Sequence, residues 1–512
     1  MTGSSIVTFG MLAVFMAVII GLLYATQERS RSFTDYAVGG RSFSSWFIAM
    51  SYTNSWWPGA AYTAFFGLSA GAGVLGLYGL AYSLLGVTAM YLMAERAWIW
   101  GKHFNLKTQC DMLGLRFDSH AVRLVASLIG VICLLPWLVL GLQAMAELFQ
   151  FASFGSWSLT ETLIAGVLII AIRQIWTVQM GMRGLVITDL VQGIVAYGVS
   201  FALCLCLLIF SSDASYSHLA KLPSTLLRLP GDGGHYGPWY VFSLVLTGVI
   251  GSLCWPTSYQ RIYTANGVRS IKKGTIQTML ISGGFYLLLT LVALAASGLP
   301  VVHAHPQSGW FSLLYSIGGE WLLGLGLVIV LAASMGWIDG CVQVCGAQIA
   351  NDVIHVISPR TDQQLTVIAK VSMAFFMITA AVIAYITFNI PRLQILAQMS
   401  YQGIVQLAVP LFLGMFWKGG NRIGALAAMI SGFTVAAFLT FIYPDDIHAL
   451  GSLTSGIVAL FVNLVVYVGC HFFFGQTDQE KERVERLFLA GRAGTKVPVP
   501  TSLSPIASLE LE

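Results

Sequence analysis

Asn54-Ser55-Trp56-Trp57-Pro58-Gly59 lies in the middle of an apolar run, Phe43 to Leu68, long enough to cross a bilayer. Pro58 has no N–H to give and Gly59 favours irregular backbone, so the helix is expected to break here. A second break of similar spelling, Cys254-Trp255-Pro256-Thr257-Ser258, follows inside another run of spanning length. Interrupted apolar helices at corresponding points of two halves point to a binding site at the membrane midplane.

Working outward, the composition sets the class. Of 512 residues, 57% are hydrophobic and only 9% charged, whereas soluble domains carry roughly 25% charged residues. A polytopic membrane protein is expected, in the cell membrane and without a folded soluble domain. Hydropathy predicts about thirteen spans, from 5–25 to 449–474. The first lacks a basic n-region and a cleavage site and reads as a retained span. Cys110, Cys133, Cys204, Cys206, Cys254, Cys341, Cys345 and Cys470 form no Cys-x-x-Cys pair and read as packing thiols.

The net charge of +4 says less than where the charges fall. With the N-terminus outside, one set of loops carries Arg29, Arg31, Arg41, Lys102, Lys107, Arg116, Arg261, Lys272 and others. The opposite set carries only Lys221, Arg228 and Arg392. The positive-inside rule then predicts N-out, C-in. The two Trp-Pro breaks thereby fall on helices of opposite direction, each opening five spans, as an inverted five-plus-five repeat requires. The expected divisions are an extra span and loop (1–42), a first repeat (43–211), an external loop (212–237) and a second repeat (238–416). Two peripheral spans (417–474) and a cytoplasmic tail (475–512) complete the chain. His303 and His305 in the external stretch 299–319 have no third ligand nearby and read as exposed loop rather than metal pair. The tail starts with the helix-like run Asp478 to Arg483 and becomes Pro- and Ser-rich, which predicts partial disorder.

Several stretches resemble the sodium:solute symporter family. Asp35-Tyr36-Ala37-Val38-Gly39-Gly40-Arg41-Ser42 is similar to its opening motif, and Thr188-Asp189-Leu190-Val191-Gln192 to its fifth core helix. Gln260-Arg261-Ile262-Tyr263-Thr264-Ala265 resembles the close of its sixth core helix, and Ala347-Gln348-Ile349-Ala350-Asn351-Asp352 the end of its eighth. The resemblance implies an all-α LeuT-type fold and secondary active symport of a small organic solute, driven by a sodium gradient through alternating access.

It also implies where sodium would sit: at backbone carbonyls of Asn54, Trp57 and Ala333 and at two hydroxyls, whose positions here are Gly336 and Trp337. Neither residue has a hydroxyl, although a hard cation wants oxygen ligands. Asp339 stands about one turn further on, and Asp189 matches an acid some members place near a second sodium. Ionisable residues inside spans normally face a partner or a wet path. Asp189 and Asp339 are therefore expected to flank one cation site, for sodium or, by sharing a proton, for proton coupling. In the competing reading Asp189 pairs with Arg173 or Arg183, and Asp339 caps an irregular turn.

For the solute, the polar and aromatic groups around the breaks are Asn54, Ser55, Trp56, Trp57, Trp255, Thr257, Ser258 and Tyr259. Gln143, Gln398, Tyr401 and Gln402 stand on neighbouring spans. No unpaired Lys or Arg is expected at mid-span depth, which favours a monocarboxylate or amino-acid-like solute over a multiply charged anion. Trp56, Trp57, Trp255 and Trp337 read as packing or gating residues, or as a cage for a quaternary ammonium group. No hydrolase or metalloprotease motif falls in any span, so no enzyme is expected. A solute sensor remains the reading from another class; neither nucleic acid nor an obligate protein partner is expected.

Overall fold

The computed structural model describes residues 3–28, 32–229, 236–388 and 393–491, the side chains of 393–398 excepted. The side chain of Gln398 and the Pro- and Ser-rich end of the tail thus lie outside what is described. Nearly every described segment is helical, and the two bridges are isolated.

Among the described residues, 11 helices are long and apolar enough to cross a membrane, or up to 12 with the bent pair at the second break. The expected thirteen differ from this for a local reason. Ser45–Asn54, the first half of the first broken span, has only 10 residues. Its second half runs on into the next span, so that Gly59–His103 passes as one stretch.

The first break has the predicted form. The helix stops at Asn54, Pro58 is extended (φ −68°, ψ 164°), a 3-10 turn spans Gly59–Ala61 and the helix resumes at Ala64. Gly59 is needed for close approach: a Cβ there would collide with the Ser334 hydroxyl and lie 2.7 Å from the Val330 carbonyl. The long helix Gly309–Gln348 therefore packs directly on the break. At the second break, Tyr240–Cys254 and Pro256–Thr264 meet at 49°, with extended Trp255 between them and Pro256 in the first helical turn. Proline is tolerated there because that N–H has no helical partner to lose.

The two broken segments are tied together. Phe43, before the first, bridges Ala265, after the second, with Asn266 N–H donating to the Phe43 carbonyl at 2.9 Å. Ser45–Asn54 packs against Val268–Ala296 and Met182–Gly193. The latter continues through a π-helical turn, Ile194–Val199, which carries the buried Tyr197.

The helix-like run expected at the start of the tail is a helix, and it extends beyond Arg483. Asp478–Ala490 is an amphipathic helix capped by Thr477, and its Val484, Leu487 and Phe488 are buried. Arg483 donates to the carbonyls of Leu115 (2.8 Å) and Arg116 (2.9 Å), holding the helix against the body. His303 and His305 are exposed, and no group of three His, Cys, Asp or Glu that could hold a metal ion occurs among the described residues.

Candidate functional site

Aromatic side chains close around the two breaks. Trp56, Trp57, Pro58, Phe65, Tyr82, Trp137, Trp255, Trp337 and Tyr401 line one small chamber of about 10 Å³. Trp56 and Trp57 stack at 5.3 Å, while Tyr401 stands edge-on to Trp137 (5.7 Å) and Trp255 (5.4 Å). Phe65, Tyr82, Trp137 and Tyr401 also line a wider cavity of about 150 Å³, together with Glu147, Gln307, Gln402 and Thr454. The indole N–H groups of Trp57, Trp137 and Trp337 are buried with no hydrogen-bond acceptor, while that of Trp56 is directed at the Tyr401 hydroxyl. Unpaired buried donors are costly, which makes them a place for a ligand acceptor.

The predicted solute residues divide. Trp56, Trp57, Trp255 and Tyr401 line the chamber, and Gln402 the wider cavity. Asn54, Ser55, Thr257, Ser258 and Tyr259 are buried at the breaks but line neither. Their polar atoms serve the protein instead. The Ser55 hydroxyl donates to the Tyr52 carbonyl (2.8 Å), Ser258 to the Ser252 carbonyl (2.9 Å) and Tyr259 to the Met415 sulfur (3.4 Å). The Thr257 carbonyl accepts from Arg261 at 3.3 Å. Gln143 is also turned away, its amide donating to the Thr387 hydroxyl at 3.1 Å. Tyr82 and Trp137 were missed. Pro136-Trp137, inside the helix His120–Ala152, repeats the Trp-Pro pairing in reverse and was the available signal.

The two acids come to one region, and each meets an arginine. Asp339 pairs with Arg173, both almost wholly buried, and also accepts from the Gln174 amide at 2.6 Å. Asp189 lies 3.6 Å from the Arg261 guanidinium and accepts from the Ser51 hydroxyl (2.5 Å) and the Asn54 amide (3.3 Å). Neither pairing is the one expected for Asp189, since Arg183 reaches Glu28 at 2.9 Å and Arg173 takes Asp339. Asp339 caps no turn: Gly309–Gln348 is kinked at Gly318 and Gly319, and Asp339 sits well inside the helical stretch that follows.

The hydroxyl pair that the resemblance implies for sodium is absent between the first break and the long helix, although the buried Ser334 hydroxyl and the Asn54 side-chain oxygen lie there without a hydrogen-bond partner. Gly336 and Trp337 offer no hydroxyl, and the Asn54 side chain fills the face of Gly336, where an added Cβ would meet it at 3.0 Å. The Trp57 carbonyl, one of the expected ligands, accepts from the Tyr197 hydroxyl at 2.8 Å.

A third buried cluster lies toward the tail helix. Arg123 bridges Asp111 and Asp352, and the Asn351 amide donates to both carboxylates at 2.8 Å. Asp111 also closes the capping box of Gln109–Phe117 with Thr108, a structural role that accounts for its burial.

Comparison with known proteins agrees with this architecture. Residues 36–432 match the family model described as the sodium:solute symporter family. The uncharacterized symporter YodF of Bacillus subtilis is 23% identical over 93% of this chain and 95% of its own. The monocarboxylic acid transporter of Corynebacterium glutamicum is 20% identical over 86% of this chain and 84% of its own. A solved structure of a Na+-coupled sialic acid symporter, substrate-bound and outward-open, superposes with TM-score 0.72 at 15% identity, covering 91% of this chain and 97% of that one. With a LeuT-type helical fold and a family match over most of its length, the chain belongs to the sodium:solute symporter family, whose members carry out solute symport by alternating access.

Proposed function

We propose that this member takes up a small monocarboxylate or amino-acid-like solute, bound in the wider cavity of about 150 Å³ against the aromatic chamber that closes it at the two helix breaks. The observation that carries this reading is the set of three buried, unpartnered indole N–H groups at Trp57, Trp137 and Trp337. They supply hydrogen-bond donors to a carboxylate without a fixed positive charge, and no Lys or Arg lines either cavity. Glu147 in the wider cavity adds a partner for an ammonium group, so a zwitterionic amino acid is accommodated as well. The face carrying Gln307 is taken as external, in keeping with the N-out, C-in charge pattern. Alternating access would move the site between the two sides as the broken helices rock on the long helix.

Sodium is the driving ion that the family name implies, and a sodium gradient is the family-level expectation. No step is routed through sodium at the first break, because Gly336 and Trp337 lack the two hydroxyls that the family pattern places there.

Uptake of labelled monocarboxylates, amino acids and betaines into proteoliposomes, with sodium and proton gradients imposed separately, tests the reading. Accumulation of a monocarboxylate or amino acid against its own gradient is expected. Saturable solute binding with no uptake under either gradient would replace the transporter by a sensor. Selective accumulation of betaines would make the chamber a cation–π cage.

A further inference from the structure

Four charged side chains meet in the core where the first break, Met182–Gly193 and the long helix come together. Arg173, Asp189, Arg261 and Asp339 are each at most 1% exposed. Two acids face two arginines, so the group is neutral as it stands.

The Arg173 guanidinium is held by oxygen atoms alone. Besides Asp339, one nitrogen donates to the Met335 carbonyl at 3.1 Å, and the other to the Thr188 hydroxyl (2.6 Å) and the Gln192 side-chain oxygen (3.3 Å). A carboxylate, a main-chain carbonyl, a hydroxyl and an amide oxygen are the donor set a hard monovalent cation would use. They come from two helices, so the guanidinium ties the long helix to Met182–Gly193 as a bound ion would.

Charge balance excludes a second cation. Adding sodium beside Asp189 or Asp339 would leave one net positive charge in a buried, water-poor site, which desolvation strongly disfavours. The carboxylate oxygens are also engaged, by Gln174, Ser51 and Asn54.

We infer that Arg173 is the resident cation of this core: its guanidinium holds the position between the long helix and Met182–Gly193 that Asp339, Thr188 and Gln192 would otherwise offer to sodium, while Arg261 neutralises Asp189. Ion binding then does not run through either acid, and any coupling ion binds elsewhere. Only the consequence for coupling rests on the transport reading; the occupancy of the site does not.

The test is equilibrium binding of radioactive sodium to the purified full-length protein, which needs neither a known solute nor transport. Wild type is compared with Asp339→Asn and with the double variant Arg173→Ala/Asp339→Ser. The double variant removes both charges together and puts a hydroxyl in place of the carboxylate, so it remains informative if Asp339→Asn does not fold. Bound sodium is expected to stay within threefold of wild type, or to rise in the double variant as the guanidinium leaves. A loss of more than threefold in either variant that retains its melting profile would overturn the inference, whatever the uptake assay shows.

Discussion

Arg173 and Asp339 form an ion pair inside the helical core, with side chains 0% and 1% exposed. Removing one member of such a pair strands the other charge out of water, at a cost of about 3–5 kcal/mol. Arg173→Met and Asp339→Leu should each lower the melting temperature sharply in detergent. The double variant Arg173→Met/Asp339→Leu should recover most of that loss, because an apolar pair of similar volume leaves no orphan charge. Additive losses in the double variant would show that the two residues do not act as a pair.

The Trp57 carbonyl and the Tyr197 hydroxyl lock the first break to the π-helical turn at 2.8 Å, and the same hydroxyl reaches the Thr53 carbonyl at 3.3 Å. Tyr197→Phe removes the donor and leaves a buried carbonyl unpaired, for a loss of about 1–3 kcal/mol. Since the ring remains to pack against Phe285, the change should appear as faster hydrogen exchange at residues 53–61 more than as lost expression. Unaltered exchange across that stretch would mean the hydroxyl does not hold the break.

Gly59 and Val330 approach so closely that no side chain fits between them. Gly59→Val should force the break off the long helix, at a cost of about 1–3 kcal/mol for overpacking. Gly59→Ala meets mainly the Ser334 hydroxyl and the Val330 carbonyl, so pairing it with Ser334→Gly should relieve part of the loss. Melting temperatures of the three variants decide the point; equal values for Gly59→Ala with and without Ser334→Gly would count against it.

Much of this was legible in the sequence because it is local. Pro58, Gly59 and Pro256 disrupt helices by their own covalent structure, and hydropathy marks the spans around them, so the breaks and the fold class followed. Asp189 and Asp339 stood out because acids are rare in apolar runs. Their partners were harder to assign: the sequence offers Arg173 to Asp189 rather than to Asp339 and places Arg261 at the cytoplasmic surface, because both lie near predicted span ends. Packing instead turns both guanidiniums inward, a tertiary fact with no one-dimensional signal. Gln143 misled for the converse reason: its polarity was visible but the face it occupies on the helix His120–Ala152 was not. In the tail the charged run Asp478 to Arg483 marked the start of a helix, but the apolar stripe of Val484, Leu487 and Phe488 that docks it lies beyond that run.

Trp337 joins the aromatic chamber to the helix that carries Asp339, and its indole N–H has no acceptor. Trp337→Phe keeps an aromatic ring and deletes that donor. For a carboxylate solute a hydrogen bond to a charged group is worth about 1.5–3 kcal/mol, so KM should rise by roughly ten- to a hundredfold. A quaternary ammonium solute, held by ring faces, should tolerate phenylalanine better and lose more to Trp337→Ala. An unchanged KM in both variants would remove Trp337 from the solute site.

Arg483 anchors the helix Asp478–Ala490 through two carbonyls, those of Leu115 and Arg116, and the Trp100 indole adds a bond to the Leu487 carbonyl at 3.1 Å. Arg116 in turn donates to the carbonyls of Gly414 (2.8 Å), Trp417 (3.2 Å) and Lys418 (3.1 Å), so the docked helix adjoins the turn between two late helices. Arg483→Ala deletes both charge-assisted bonds but leaves the apolar stripe, so the helix should open more often without leaving altogether. Hydrogen exchange at 478–490 should accelerate by at least tenfold, while the core around the breaks keeps its protection. Arg483→Lys should restore less than half of the protection, because a single ammonium lacks the planar fork that reaches two carbonyls at once. Full protection in Arg483→Ala would mean that burial of Val484, Leu487 and Phe488 alone holds the segment in place.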